Sequence, residues 1–162
     1  KFLGVGPGRD FFYVPPVVLG LLIAILSSLW PNGRWQTWLA RGLAIVLALL
    51  AFPAVAAIQL EPQREWLARL LMITLVVGVV ALGSLYNARM IRSSWPWLVM
   101  AIVAVIGAAL PTLQYLAVRP VVESAMQRDI GIGPGVWLNI AGCLIAAAVC
   151  LVEFAAIRRV EE

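Results

Sequence analysis

VWLNIAGCLIAAAVCLVEFAAI occupies residues 136–157 and decides the class of this chain. Glu153 is the one acidic or basic residue in the stretch, and it lies near the far end. A helix of about 20 residues crosses the hydrocarbon core of a bilayer. Because lipid offers no partners to backbone amides and carbonyls, such a stretch must satisfy them internally, as a helix does. Residues 136–157 therefore predict a membrane-spanning helix.

Four further apolar stretches precede this one, at residues 15–30, 39–60, 67–86 and 97–118. The first reaches spanning length only if its helix starts near Phe11, and with no evident cleavage pattern after it we interpret it as a retained span. The sequence thus predicts an all-α integral membrane protein with five transmembrane helices. Since the connecting loops are short, residues 1–162 are expected to form a single polytopic membrane domain.

Composition agrees with a membrane protein and argues against a nucleic-acid partner. The chain is 63% hydrophobic and 12% charged, whereas soluble domains carry about 25% charged residues. Its net charge is +4, but the twelve basic residues are spread along the loops rather than clustered on one face. We interpret them as topology signals and as contacts with the lipid bilayer.

Residues for catalysis or cofactor binding are scarce. Histidine is absent, and haem and structural zinc sites commonly depend on it. Cys143 and Cys150 lie about 10 Å apart by helix rise, which is too far for a disulfide. Without a nucleophile–base set or paired carboxylates, we predict no catalytic residues, no metal site, no cofactor and no enzyme activity.

Loop charges set the expected orientation. With five crossings, each side carries six basic residues, so the count of basic residues alone does not decide. The side that holds residues 31–38 and 87–94 has short loops without acids, and the last span ends in Arg158 and Arg159. We therefore expect the N-terminus outside the cell membrane and the C-terminus in the cytoplasm.

Glycine–proline motifs recur before two of the helices. GVGPG at residues 4–8 matches GIGPG at residues 131–135. A glycine-rich loop before a helix can hold an anion on free backbone amides, or it can form a tight turn in which proline starts the helix. The turn is favoured, because neither motif ends in the Lys-Ser/Thr pair of a phosphate-binding loop.

A second likeness has a spacing of 58 residues, since residues 34–53 resemble residues 92–111. It predicts a repeated hairpin, formed by the second and third helices and again by the fourth and fifth, with one leading helix. The repeats carry Pro53 and Pro111 at matching positions. Broken helices can line transport paths, but proline is also tolerated structurally, and the absence of neighbouring Asp, Glu, Asn or Lys at mid-membrane favours the structural interpretation.

Small residues predict where helices pack. Ala104 and Ala108, and likewise Gly142 and Ala146, have the spacing that lets helices approach closely. Gly78 and Gly83 are expected to act similarly. Glu153 is the possible ionisable site: a solvated or ion-paired interfacial carboxylate is favoured over a proton or cation role.

These features favour a non-catalytic accessory subunit whose partners are other membrane protein subunits. An alternative comes from a resemblance. GPGRDFFYVP at residues 6–15, followed by VLGLL at residues 18–22, resembles the opening of the small TctB-type subunit of tripartite tricarboxylate transporters. The chain departs from that pattern by inserting residues 9–11 and 13–14 and by adding a late fifth helix. The resemblance implies a small, non-catalytic membrane component of a carboxylate transporter.

Overall fold

The computed structural model describes residues 13–53, 63–91, 93–129 and 131–161, and these residues are helical apart from short connections. In chain order the described helices are α1 Val14–Ser28, α2 Trp35–Leu49, α3 Gln63–Leu85, the single turn α4 Asn87–Met90, α5 Trp95–Met126 and α6 Pro134–Glu161. The all-helical prediction is confirmed. The GVGPG motif at residues 4–8 lies outside the described residues.

Prolines mark several helix starts. Pro15 and Pro16 lie in the first turn of α1, Pro96 lies in the first turn of α5, and Pro134 opens α6. The first helical residues have no intrahelical acceptor for their N–H groups, so a residue that lacks the N–H costs little there. Pro134 belongs to the second glycine–proline motif, and the Val136 amide donates to the Gly133 carbonyl at 3.1 Å as the helix begins.

Helix α1 packs against α2, α3 and α5, and α6 packs against α5. Two glycines allow close approach to α1. A Cβ on Gly20 would lie 2.8 Å from the Ala44 carbonyl oxygen of α2, and a Cβ on Gly107 of α5 would lie 2.5 Å from a Val18 methyl. Contacts of this kind need a missing side chain on one of the two helices.

The helices alternate in direction. Arg69 lies over the Tyr13 ring at one end of α1 and α3, whereas Asn87 bonds to Ser28 at the other end, so α1 and α3 run in the same direction. The contact between Val18 and Gly107 and that between Ile25 and Met100 make α5 antiparallel to α1. This alternation is consistent with a chain whose successive helices cross the same membrane in opposite directions.

Three described helices are long and apolar enough to cross a membrane: Trp66–Leu85, Trp95–Met126 and Pro134–Arg159. These helices are consistent with a membrane location. Helices α1 and α2 have 15 residues each, which is about 22 Å of helix against a hydrocarbon core of about 30 Å. The predicted set of five spans, and the repeated hairpin, are not confirmed.

Two helix ends differ from the sequence-based expectation. Helix α2 ends at Leu49, within the apolar stretch that the sequence predicts as a span to residue 60, and residues 54–60 of that stretch lie outside the described residues. Pro53 has no N–H to donate to the Leu49 carbonyl, and the Phe52 amide instead donates to that carbonyl at 2.9 Å in a tightened turn. The proline thus follows the helix rather than kinking it.

Helix α5 has 32 residues and continues to Met126, past the predicted end at residue 118. Its helical assignment runs through Pro111 and Pro120. Beyond the apolar part, Arg119 pairs with Glu123 at 2.7 Å, one turn apart. Such a pair adds a little stability to a helix in water or at the headgroup level, which is consistent with α5 continuing beyond its apolar stretch. Gln127, in the left-handed conformation with φ 50°, follows the helix end.

Candidate functional site

A network of polar side chains lies where α1 and α3 end together. The Asn87 side-chain amide donates to the Ser28 carbonyl at 2.8 Å and to the Trp30 carbonyl at 2.7 Å. In return, the Asn32 amide donates to the Ser84 carbonyl at 2.9 Å. The last carbonyls of a helix lack intrahelical donors. Each asparagine therefore caps the helix that the other one follows, and the two helix ends are tied to each other.

Arg41 of α2 contacts Asn32 of this network. We define a smaller cluster, the turn site, as Asn32, Arg34, Trp38 and Arg41. The Arg41 Nη2 atom donates to the Asn32 side-chain oxygen at 2.7 Å. Its guanidinium carbon lies 5.0 Å from the centre of the Trp38 ring, a distance at which a cation is attracted to an aromatic face. The Trp38 indole in turn donates to the Asn32 carbonyl at 3.1 Å. Arg41 is only 2% exposed.

A second polar contact lies where α5 meets α6. The Asn139 amide donates to the Gly107 carbonyl at 3.0 Å, and the Tyr115 hydroxyl donates to the Gly131 carbonyl at 2.9 Å. A cavity of about 310 Å³ lies beside these contacts, and Pro15 and Pro111 also line it. Because both polar side chains are engaged with backbone oxygens, the cavity presents a mainly apolar wall.

An apolar groove runs between α6 and the pair α1–α2, with a volume of about 390 Å³. We call it the α6 groove. Gly142, Cys143 and Ala146 line it from α6, while Leu19 and Leu47 line it from α1 and α2. A Cβ on Gly142 would have no described atom within 4 Å. The groove is therefore open at the point where the side chains of α6 are smallest.

The structure places the predicted packing residues in different environments. Ala104 and Ala108 are buried in α5. Gly83 is buried against Ser28, and an added Cβ there would overlap the serine hydroxyl. Gly78 has open space around its Cβ position. Ala146 is half-buried, and Gly142 is exposed.

Glu153 is exposed on α6, one turn after the buried Cys150. Cys143 and Cys150 are free cysteines. Among the residues that the structure describes, no group of three His, Cys, Asp or Glu side chains could hold a metal ion.

Sequence reasoning missed the two asparagines and the buried state of Arg41. One signal could have found the asparagines: residues 28–32 read SLWPN and residues 84–87 read SLYN. Each places an asparagine shortly after a serine, a leucine and an aromatic residue at the end of a helix. Ordinary turn preference accounts for asparagine at both places, which is why neither one stood out.

No protein-family profile matches the chain, and neither characterised proteins nor solved structures show significant similarity. The resemblance of residues 6–22 to the TctB-type subunit therefore gains no support from these comparisons.

Proposed function

We propose that this chain is a non-catalytic packing subunit of a larger membrane protein complex. The observation that carries the proposal is the α6 groove, which is apolar and open, and has Gly142 and Ala146 on its α6 side. In lipid, helices associate through close packing rather than through a hydrophobic driving force, and small residues allow backbones to approach. A transmembrane helix of a partner subunit is the occupant that such a surface fits.

The exposed face of α6 supports the same conclusion. Only 11% of its most apolar window is buried within the chain, against 39% for α5. The large side chains of Leu138, Ile145 and Val152 are each at least 65% exposed. Lipid tails can cover such a face, but they cannot match the shape of a groove with a small-residue wall as well as a fitted helix does.

The polar side chains described above support a structural role as well. Asn32, Asn87 and Asn139 each donate to a backbone carbonyl of another helix or turn. Their hydrogen-bonding capacity is used to join the helices, and a bundle held together in this way offers a partner a rigid surface. We further propose the orientation expected from the loops, with the N-terminus outside and the C-terminus in the cytoplasm.

Purification of the tagged chain from its native membrane in a mild detergent tests the proposal. We expect larger membrane subunits to elute with it in fixed stoichiometry, as measured by quantitative mass spectrometry. Elution of the chain alone, as a homo-oligomer, would contradict the proposal. If partners do co-elute, their identity would define the biological role of the chain.

A second candidate function is that of a small transporter component. The cavity of about 310 Å³ beside Pro111, Tyr115 and Asn139 favours it, because a pocket of this size can take a small ligand. Substrate-dependent flux through liposomes that contain only the purified chain would support this candidate. Flux that persists in an Asn139→Leu variant would count against the cavity as its path.

A further inference from the structure

We infer that the turn site binds the phosphate group of an anionic phospholipid, with Arg41 as the main ligand. This inference is independent of any partner subunit. It concerns the cluster of Asn32, Arg34, Trp38 and Arg41 at the end of α1 and the start of α2, where Arg41 is almost completely buried.

The guanidinium of Arg41 is only partly satisfied. Its Nη2 atom donates to Asn32, but its Nε and Nη1 atoms are covered and have no hydrogen-bond partner among the described residues. A guanidinium carries five N–H donors, and a buried donor without an acceptor loses the hydrogen bonds that water would have given it. A planar fork with free donors is the arrangement that binds the oxygens of a phosphate in pairs.

The carbonyls of the turn accept from other donors, and none of them accepts from the Arg41 Nε or Nη1 atom. The carbonyl of Asn32 already accepts from Trp38, and that of Pro31 accepts from Thr37. The carbonyls of Ser28 and Trp30 accept from Asn87. Residues 11–60 contain neither aspartate nor glutamate, and the acid of α6 that is described, Glu153, is exposed. An anion for Arg41 must therefore come from outside these two helices.

The first turn of α2 adds a second attraction for an anion. Arg34 occupies the N-cap position, makes no capping hydrogen bond through its side chain in the described part of the chain, and is exposed. The helix has no acid in its first turn. Free amides and the positive end of the helix dipole favour an anion at this position. The Arg41 side chain reaches back to this turn, since it contacts Trp38 and Asn32.

The surroundings select a lipid as the source of the phosphate. Trp35 and Trp38 are 69% and 60% exposed beside the site, and tryptophan prefers the headgroup level of a bilayer. The Trp38 ring lies against the guanidinium and is itself exposed, so rotation of this side chain would give a headgroup access to the Nε and Nη1 atoms. Leu39 and Leu43 of α2 are also exposed, and the acyl chains of a lipid bound at the site would cover them.

Native mass spectrometry of the full chain in detergent tests the inference. Phosphatidylglycerol and phosphatidylcholine are added in separate samples, and the bound lipid is measured. We expect the wild type to retain phosphatidylglycerol preferentially and Arg41→Gln to bind it about tenfold more weakly, as for the loss of charged hydrogen bonds. Arg158→Gln removes an exposed charge near the chain end and is the matched control, with binding expected to stay within about twofold. Arg41→Lys keeps the charge without the planar fork, so we expect its binding to be intermediate. This variant provides the test if Arg41→Gln does not fold.

Two results would overturn the inference: equal binding of the two lipids by the wild type, or equal losses in the Arg41 and Arg158 variants. Inorganic phosphate, added to protein in phosphatidylcholine alone, distinguishes the source. If phosphate raises the unfolding temperature as much as phosphatidylglycerol does, the ligand is a free oxyanion and the lipid assignment is wrong. A stabilisation seen with phosphatidylglycerol and not with phosphate supports the assignment.

Discussion

Asn139 of α6 donates its side-chain amide to the Gly107 carbonyl of α5 at 3.0 Å. Gly107 lies four residues before Pro111, so its carbonyl is the one that proline leaves without a helical donor. The hydrogen bond from α6 replaces the missing one, which explains how α5 keeps its helical assignment through Pro111. The proline and the asparagine thus form one structural unit across two helices.

The Asn139→Leu variant should unfold more easily, because the Gly107 carbonyl would then be buried without a donor. We expect a loss of about 1 kcal/mol in the free energy of unfolding, typical of hydrogen bonds between helices in membranes. In a Pro111→Ala background, the alanine amide can donate to that carbonyl, so the same change should cost less. A double-mutant cycle in detergent measures this coupling, and equal costs in both backgrounds would disprove the link.

Gly83→Ala should destabilise the contact between α1 and α3, because the new methyl would overlap the Ser28 hydroxyl. Overpacking of this kind costs about 1–3 kcal/mol. Gly78→Ala in the same helix is the matched control: its Cβ position is open, and alanine favours a helix over glycine by about 1 kcal/mol. Thermal unfolding should therefore shift in opposite directions, and a shift in the same direction would contradict the packing described.

Replacement of Asn87 by leucine should loosen the joined ends of α1 and α3. It removes the donor to the Ser28 and Trp30 carbonyls, and a buried acceptor left unmade costs about 1–3 kcal/mol. Gln36→Leu also removes an amide, but at an exposed position on α2, where we expect a change within about 0.5 kcal/mol. Chemical unfolding measures the free energy of unfolding of both variants. Equal values for the two would contradict the structural role of Asn87.

Orientation can be tested with single cysteines placed in a background that lacks Cys143 and Cys150. Gly33 and Gly131 are exposed at opposite ends of the bundle, and neither has a described atom within 4 Å of its Cβ position. With the N-terminus outside, a membrane-impermeant maleimide added to intact cells should label Gly131→Cys and leave Gly33→Cys unlabelled. The reverse pattern would invert the proposed orientation.

The helical character of the chain could be predicted because it depends on local pattern. The stretch at residues 136–157 is apolar over a full span, and α6 covers it. The end of α2 was not predictable in the same way, because residues 50–60 are as apolar as those before them and Pro53 alone signals the change. Apolar composition predicts that a segment lies in an apolar environment, but it does not predict the residue at which a helix ends.

The polar contacts depend on tertiary placement and left only a weak trace in the sequence. Asn32 and Asn87 are 55 positions apart and act together because α1 and α3 end side by side. The basic residues, Arg41 among them, were interpreted as topology signals and bilayer contacts, and only its packing shows that Arg41 is buried. Gly83 was predicted as a packing residue, whereas Gly20 and Gly107 were not; the contacts of all three lie on helices distant in sequence, which the local pattern does not show.

The most direct test of the packing-subunit proposal compares co-purification of Gly142→Leu with that of Gly42→Leu. Both glycines are exposed and have open Cβ positions, but only Gly142 lines the α6 groove. We predict that Gly142→Leu loses its stoichiometric membrane partners in quantitative mass spectrometry, while Gly42→Leu keeps them and both variants fold. Retention of the same partners by both variants would contradict docking in the α6 groove.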